Sequence, residues 1–271
     1  MITTEMYNGS GPGDQLWMYL VPRYIAHTKG YNFGIGHPER WKLKNLNIDF
    51  GELVEGGSNT REGGPPITLP NGITNYYKEK HVYHPDYHDC NISDVDWDTF
   101  KIGDNTKLEG LFHYSFLLKE NAELFKGWLD FNSVIERNLV VSGKVIANIR
   151  GGEYKGAPDL ILPKKYWDMA IERLGNPPIE IVTDDPAYAL SLIPNGKIFE
   201  GSMIDHFENL FTADKLIISN SAFAFFPAAL GNASEVIAPK YWSRWNISDG
   251  FWAMEMDKYD GFTYIDREGK E

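Results

Sequence analysis

Cysteine is almost missing from this sequence. Cys90 stands alone among 271 residues, so no disulfide can close within the chain, and a reducing, cytoplasmic setting is expected. Long apolar runs are missing too: nothing approaches the roughly 20 residues a membrane helix requires. The opening residues Met1-Ile2-Thr3-Thr4-Glu5 lack the basic start and apolar centre of a secretory signal, so neither a leader nor a membrane span is expected. Positive charge is scarce, with 26 Lys and Arg against 38 Asp and Glu and a net charge of -12. So acidic a chain repels polyanions, and nucleic acid is not an expected partner. A phosphate would have to be held locally, by a helix N-terminus, a glycine-rich loop or one well-placed arginine. Internal repeats and low-complexity tails are also absent.

What is present reads as an ordinary globular chain. The 42% hydrophobic and 24% charged residues suit one large domain or two modest ones, each with its own core. Strand-like and helix-like segments alternate in the C-terminal half. Lys144 to Ile149, Ile179 to Thr183, Lys197 to Phe199, Lys215 to Ser219 and Glu235 to Ala238 read as strands. Helical spacing falls between them, at Pro163 to Leu174, Pro186 to Ile193, Met203 to Phe211 and Ser221 to Leu230. Such alternation predicts a parallel sheet with helices on both faces. The N-terminal half opens with a strand, Ile2 to Tyr7, then a glycine-rich turn, a helix from Leu16 to Lys29, and a strand from Tyr31 to Ile35. Residues 51–98 are rich in Gly, Pro, Asn, Asp and His and read as long loops. Leu117 to Leu129 reads as a helix leading into the second half.

Ligands of parallel sheets bind beyond the carboxyl ends of the strands. Three polar clusters fall there: Asn148-Ile149-Arg150-Gly151-Gly152, Thr183-Asp184-Asp185 and Ser219-Asn220-Ser221. Arg150 suits a diphosphate gripped by two parallel hydrogen bonds, or else a surface ion pair. Asp184 and Asp185 suit a guanine N–H edge or a helix cap, capping being the stronger rival at Asp185 because Pro186 follows. Ser221 or Asn220 is an ordinary N-cap whose hydroxyls and amides also suit a phosphate. Gly11-Pro12-Gly13-Asp14-Gln15 offers either a backbone approach to a ligand or simply a tight strand-to-helix turn. His81, His84, His88 and Cys90, with Asp86 and Asp89 between them, raise zinc, but the spacing matches no standard closed site, and a polar loop is expected. Phe223 to Phe226 reads as core, and packing is the default for Trp242, Trp245 and Trp252 as well.

Taken together the motifs resemble the alpha-1,2-fucosyltransferases and the wider fucosyltransferase superfamily of GT-B fold. Gly9-Ser10-Gly11-Pro12-Gly13-Asp14-Gln15 is similar to that family's G-G-L-G-N-Q loop. Leu108-Glu109-Gly110-Leu111-Phe112-His113-Tyr114 is similar to its L-E-G-Y-F-Q-S. Asn148-Ile149-Arg150-Gly151-Gly152-Glu153-Tyr154 resembles H-x-R-R-G-D-Y, and Thr183-Asp184-Asp185 resembles S-D-D. Asn220 to Ala228 resembles N-S-S-F-S-W-W-G-A, and Ile237-Ala238-Pro239-Lys240-Tyr241-Trp242 resembles I-A-P-x-x-W. The order and spacing hold from about residue 5 to 245.

The resemblance implies two Rossmann-like α/β domains facing a cleft, with residues 1–135 on the acceptor side and 136–271 binding the nucleotide-sugar. It implies inverting transfer of fucose from GDP-fucose to a glycan hydroxyl, with no metal or other cofactor. Arg150 would grip the diphosphate, Thr183, Asp184 and Asp185 would read guanine, and Ser219, Asn220 and Ser221 would meet the phosphates. Asn148, Gly151, Gly152, Gly11 and Gly13 complete the expected donor contacts, the amides of Gly151 and Gly152 sharing the diphosphate charge. Glu153 and Asp14 are the candidate bases. The chain departs from the motif at Asn148 (histidine in the family), Gly151 (the second arginine) and Glu153 (aspartate). Another GDP-sugar, or a non-catalytic nucleotide- or glycan-binding relative, is the alternative.

Overall fold

The computed structural model describes residues 1–57, 68–80, 96–156, 160–240 and 259–270. They fall into two units, one of residues 1–80 with 96–114 and one of residues 115–270. The division comes earlier than residue 135 because three short helices join the second unit: α2 (Ser115–Glu120), α3 (Ala122–Trp128) and α4 (Phe131–Arg137). The one helix expected at Leu117 to Leu129 is thus two, parted at Asn121.

The first unit carries a four-stranded sheet. Its strands are β1 (Ile2–Glu5), β2 (Phe33–Gly36), β3 (Asn75–Lys78) and β4 (Thr106–Glu109), in the order β2-β1-β4-β3, and all neighbours are parallel. β3 lies inside the stretch that reads as loop. Its sequence, Asn-Tyr-Tyr-Lys, is short and exposed at both ends, so it carries almost no periodic signal. Helix α1 (Pro12–Lys29) follows β1. Pro12 supplies a preset φ at the first helical position, and the helix stops at Gly30, whose φ of 67° suits a residue without Cβ. Leu16 through Val21 are all buried, so α1 is apolar around its circumference and runs as a core helix rather than a surface one.

The second unit holds six strands: β5 (Val141–Ile149), β6 (Ile179–Thr183), β7 (Lys197–Ile198), β8 (Ala213–Ile218), β9 (Glu235–Pro239) and β10 (Phe262–Ile265). Four helices accompany them: α5 (Lys164–Arg173), α6 (Pro186–Leu192), α7 (Met203–Leu210) and α8 (Ala222–Leu230). The strand order is β10-β9-β8-β5-β6-β7, wholly parallel. Counted along the chain within this unit, that is the 3-2-1-4-5-6 order of a doubly wound dinucleotide-type sheet. Val145, Ala147 and Ile149 of β5 pack with Tyr166, Trp167 and Ala170 of α5 and Ala189 and Leu192 of α6. The intervening Ile146 and Asn148 are buried as well, as expected of a central parallel strand covered on both faces. β10 was not expected from the sequence.

Candidate functional site

In this strand order the chain reverses direction between β5 and β8. Such a switch point leaves a crevice beyond the strand ends, because the connections from the two strands run to opposite sides. β5 runs into Arg150-Gly151 and a 3-10 turn, Gly152–Gly156; β8 runs into Ser219-Asn220-Ser221 and the start of α8. Asn148 pairs with Ile218 on one side, and Ile149 with Thr183 on the other. The three polar clusters of the sequence therefore stand side by side, and two of them flank the reversal.

Asn148 is not a surface ligand. It is buried, its Nδ2 faces the carbonyl of Val182 at 3.4 Å, and its Oδ1 accepts from Ser219 Oγ at 3.0 Å. Its side chain stitches β6, β5 and β8 together, which takes both Asn148 and the Ser219 hydroxyl out of the expected donor contacts. Thr183 is buried too, its Oγ1 accepting from the Asp185 amide. Asp185 caps α6 by accepting from the Tyr188 amide at 3.1 Å, as the Pro186 signal suggested. It also pairs with Lys155. Lys155, then the Tyr188 amide, hold its carboxyl below the usual aspartate range.

Asp184 is committed as fully. One oxygen accepts from the Gly151 amide at 2.8 Å and the other meets Arg150 Nη1 at 2.8 Å. Arg150 also reaches Glu153 Oε1 through Nη2 at 2.8 Å and lies 5.0 Å from the Tyr154 ring centre. Arg150 is hence no lone cation: with Lys155 it faces three carboxylates, Asp184, Asp185 and Glu153. The firmest of these, Asp184, locks the guanidinium to the end of β6. Glu153 is 77% exposed, so an incoming anion can displace it at little cost.

The two glycines serve a different purpose from the expected one. A Cβ on Gly151 would stand 2.7 Å from Tyr188 and 2.8 Å from Asp185, and one on Gly152 would stand 2.6 Å from Asp184. That volume is protein, not room for a diphosphate. The glycines let the loop after β5 lie against the loop after β6. This also explains why no second arginine stands at position 151, and the Gly151 amide is spent on Asp184.

What remains open at the reversal is specific. Arg150 Nε and Asn220 Oδ1 are buried without a hydrogen-bond partner among the described residues. Asn220 is otherwise pinned, its Nδ2 donating to the Leu160 carbonyl and its own carbonyl accepting from Tyr154 OH at 3.0 Å. Buried polar atoms without a partner are uncommon, and each is a place where a polar group can be accommodated. The amides of Ala222 and Phe223 at the start of α8 add donors, since Ser221 does not cap the helix through its side chain. The Ser221 and Ala224 amides already donate to the carbonyls of Ser219 and Ser221.

At the start of α1 the outcome differs. Gly11 is its N-cap, and its amide donates to Asp14 Oδ2 at 3.3 Å. The anion at this helix terminus is thus the protein's own Asp14, which competes with any phosphate at Gly11 and Gly13. Asp14 Oδ1 lies 3.2 Å from Nε2 of the buried His113. His113 had been read only as one letter of the Leu108 to Tyr114 motif, and nothing in its spacing announced a pairing with Asp14.

His81, His84, His88, Cys90, Asp86, Asp89, Trp242, Trp245 and Trp252 lie outside the described residues. Among the described residues no group of three or more His, Cys, Asp or Glu is placed to hold a metal ion, and no helix is long and apolar enough to cross a membrane.

No family model matches the chain, and no curated protein matches it. Among solved structures it is similar to the crystal structure of NodZ alpha-1,6-fucosyltransferase soaked with GDP-fucose, at 14% identity over 88% of this chain and 94% of that one, with a TM-score of 0.45. A likeness this distant adds nothing to the topology described above.

Proposed function

We propose that the protein is a glycosyltransferase that takes its sugar from a nucleotide diphosphate sugar, foremost fucose from GDP-fucose, and passes it to a carbohydrate hydroxyl. The observation that carries the proposal is the reversal between β5 and β8, with Arg150 at one strand end, the α8 N-terminus at the other, and an unpaired buried polar atom on each side, Arg150 Nε and Asn220 Oδ1. The choice of guanine and of fucose rests on the motif resemblance, since both carboxylates of the Asp184-Asp185 pair are already engaged.

Departure of the nucleoside diphosphate builds negative charge on the bridging oxygen. Groups fixed in advance around that charge accelerate the reaction because they need no rearrangement as it develops. Arg150, held in place by Asp184, and the first amides of α8 are suited to the task. The transfer in this reading is an inverting displacement without a metal, which rests on the motif resemblance. In this reading residues 115–270 hold the donor and residues 1–80 with 96–114 the acceptor.

One observation favours a second reading, that of a non-catalytic nucleotide or glycan binder: three carboxylates outnumber Arg150 and Lys155 at the strand ends. Incubating the protein with GDP-fucose and measuring GDP release separates the two. Release above the uncatalysed rate supports the enzyme; GDP binding with no release supports the binder.

A further inference from the structure

The donors of the Arg150 guanidinium are used unequally. Nη1 is committed to Asp184 at 2.8 Å, and that carboxylate is itself held by the Gly151 amide on its other oxygen. Nη2 meets Glu153 Oε1 at 2.8 Å. Nε shares one edge of the planar group with Nη2, and their N–H bonds point the same way. Yet Nε is buried without a hydrogen-bond partner among the described residues. Glu153 thus engages that edge through one of its two donors, where a bidentate anion would engage both.

The guanidinium is not free to turn away. Its carbon lies over the Tyr154 ring, 5.0 Å from the centre, and the Tyr154 hydroxyl donates to the Asn220 carbonyl at 3.0 Å. Asn220 is buried and anchored in turn, its Nδ2 donating to the Leu160 carbonyl at 3.0 Å. Tyr154 therefore spans from the turn after β5 to the start of α8 and walls one face of Arg150. Of Asp184, Tyr154 and Glu153, only Glu153 is mostly exposed, at 77% against 30% for Asp184. An exposed ion pair is weak, whereas moving Asp184 would also strip the Gly151 amide of its acceptor. Glu153 is the partner that yields.

We propose that Glu153 is a resident competitor, whose carboxylate holds in the free protein the seat on Arg150 that a phosphate takes in the bound one. The inference rests on the nucleotide-sugar reading above and adds the regulation of that site. It lies wholly within residues 115–270. In the exchange one phosphate oxygen replaces Glu153 on Nη2 and a second reaches Nε, while Glu153 returns to water. A one-point contact becomes a two-point contact. With Glu153 in place, three carboxylates face Arg150 and Lys155. Only a ligand that brings two oxygens and more than one negative charge gains by the exchange. A pyrophosphate group does; a chloride ion does not. Glu153 is then no base, because its carboxylate is spent on Arg150.

The test is a calorimetric titration of the protein with GDP and, separately, with inorganic pyrophosphate. Glu153→Gln is expected to tighten both by about two- to tenfold, from a lost exposed ion pair and one fewer repelling charge. Glu153→Asp keeps the charge but falls one methylene short of Nη2, and it should tighten them as well. Glu172→Gln removes the same charge from an exposed position on α5 and should change neither. The Arg150 Nε–H resonance, identified by its absence in Arg150→Lys, should shift when GDP binds the wild-type protein. Unchanged or weaker binding in Glu153→Gln overturns the inference and leaves the donor assignment standing. So does Glu153→Asp that binds like wild type, Glu172→Gln that tightens as much as Glu153→Gln, or an Nε–H resonance that bound GDP leaves unmoved. Failure of wild type and Glu153→Gln alike to bind either ligand overturns the donor assignment itself.

Discussion

Replacing Arg150 with alanine separates its two duties, since the structural part and the ligand part differ in size. The side chain holds Asp184 and Glu153, each at 2.8 Å, and is 24% exposed. Glu153 returns to water without penalty. Asp184 keeps the Gly151 amide on its other oxygen and is 30% exposed, so solvent can take the place of the guanidinium. The structural cost is then about 1–2 kcal/mol, well below the ~3–5 kcal/mol of a fully buried pair that loses one partner. At roughly 2–4 °C per kcal/mol for a chain of this size, the melting temperature should fall by about 2–8 °C. The ligand part is larger. Removing a charge-assisted, desolvated partner from an anion costs about 2–5 kcal/mol, and at tenfold per 1.36 kcal/mol this is about 30-fold to several thousand-fold in kcat/KM for donor. Arg150→Lys should recover little, because an ammonium cannot hold Asp184 and a phosphate in one planar fork. Steady-state kinetics with GDP-fucose or GDP-mannose, run beside melting curves, measure both parts. Near-normal kcat/KM in Arg150→Ala would refute the assignment. A melting temperature that collapses along with activity would mean that the arginine serves chiefly to hold β5 to β6.

Gly151→Ala should destabilise by about 1–3 kcal/mol, as overpacking does, because the new methyl meets Tyr188 and Asp185. Gly151→Arg should be worse still and should not raise donor affinity; chemical denaturation and GDP titration check the pair. Burial raises the Glu79 carboxyl above its ordinary value of 4.5, against the pull of the Phe112 amide, Tyr114, His113 and the Leu111 amide. The folded state therefore binds this proton more tightly than the unfolded chain, and stability falls as pH rises from about 4.5 through the raised value. Glu79→Gln should flatten that slope in urea melts taken across the range, whereas Glu79→Ala, which orphans two amides, should cost about 2–4 kcal/mol. Activity should persist in excess chelator; loss that manganese or magnesium restores would require a metal in the mechanism.

The second unit was the more legible half of the sequence. Its strands are apolar runs set between proline- and glycine-punctuated helices, so all but β10 show as a pattern, and their ends mark the clusters around Arg150, Asp184 and Asn220. β3 and β4 are four residues each and polar in composition. Lys107 of β4 is buried against Glu5 of β1 at 3.1 Å, a partnership across more than a hundred residues that no local pattern encodes. The same limit applied within the site. Spacing placed Arg150 and Asp184 at neighbouring strand ends, but only the fold shows that they bind each other. Gly151 and Gly152 were expected to turn their amides to a diphosphate, yet the Gly151 amide goes to Asp184. Tyr188 and Asp185 of the next loop leave no room for a side chain at Gly151. His113 is the clearest omission, since a lone histidine after a short strand gives no sign that a helix terminus will meet it.

Hydrogen exchange of the backbone amides, compared with and without saturating GDP, tests most directly whether a nucleotide binds where β5 and β8 diverge. Slowed exchange is expected at residues 150–156 and 219–224, and it should be stronger with GDP than with UDP, CMP or ADP. Protection confined to residues 9–16, or none with any nucleotide, would contradict it.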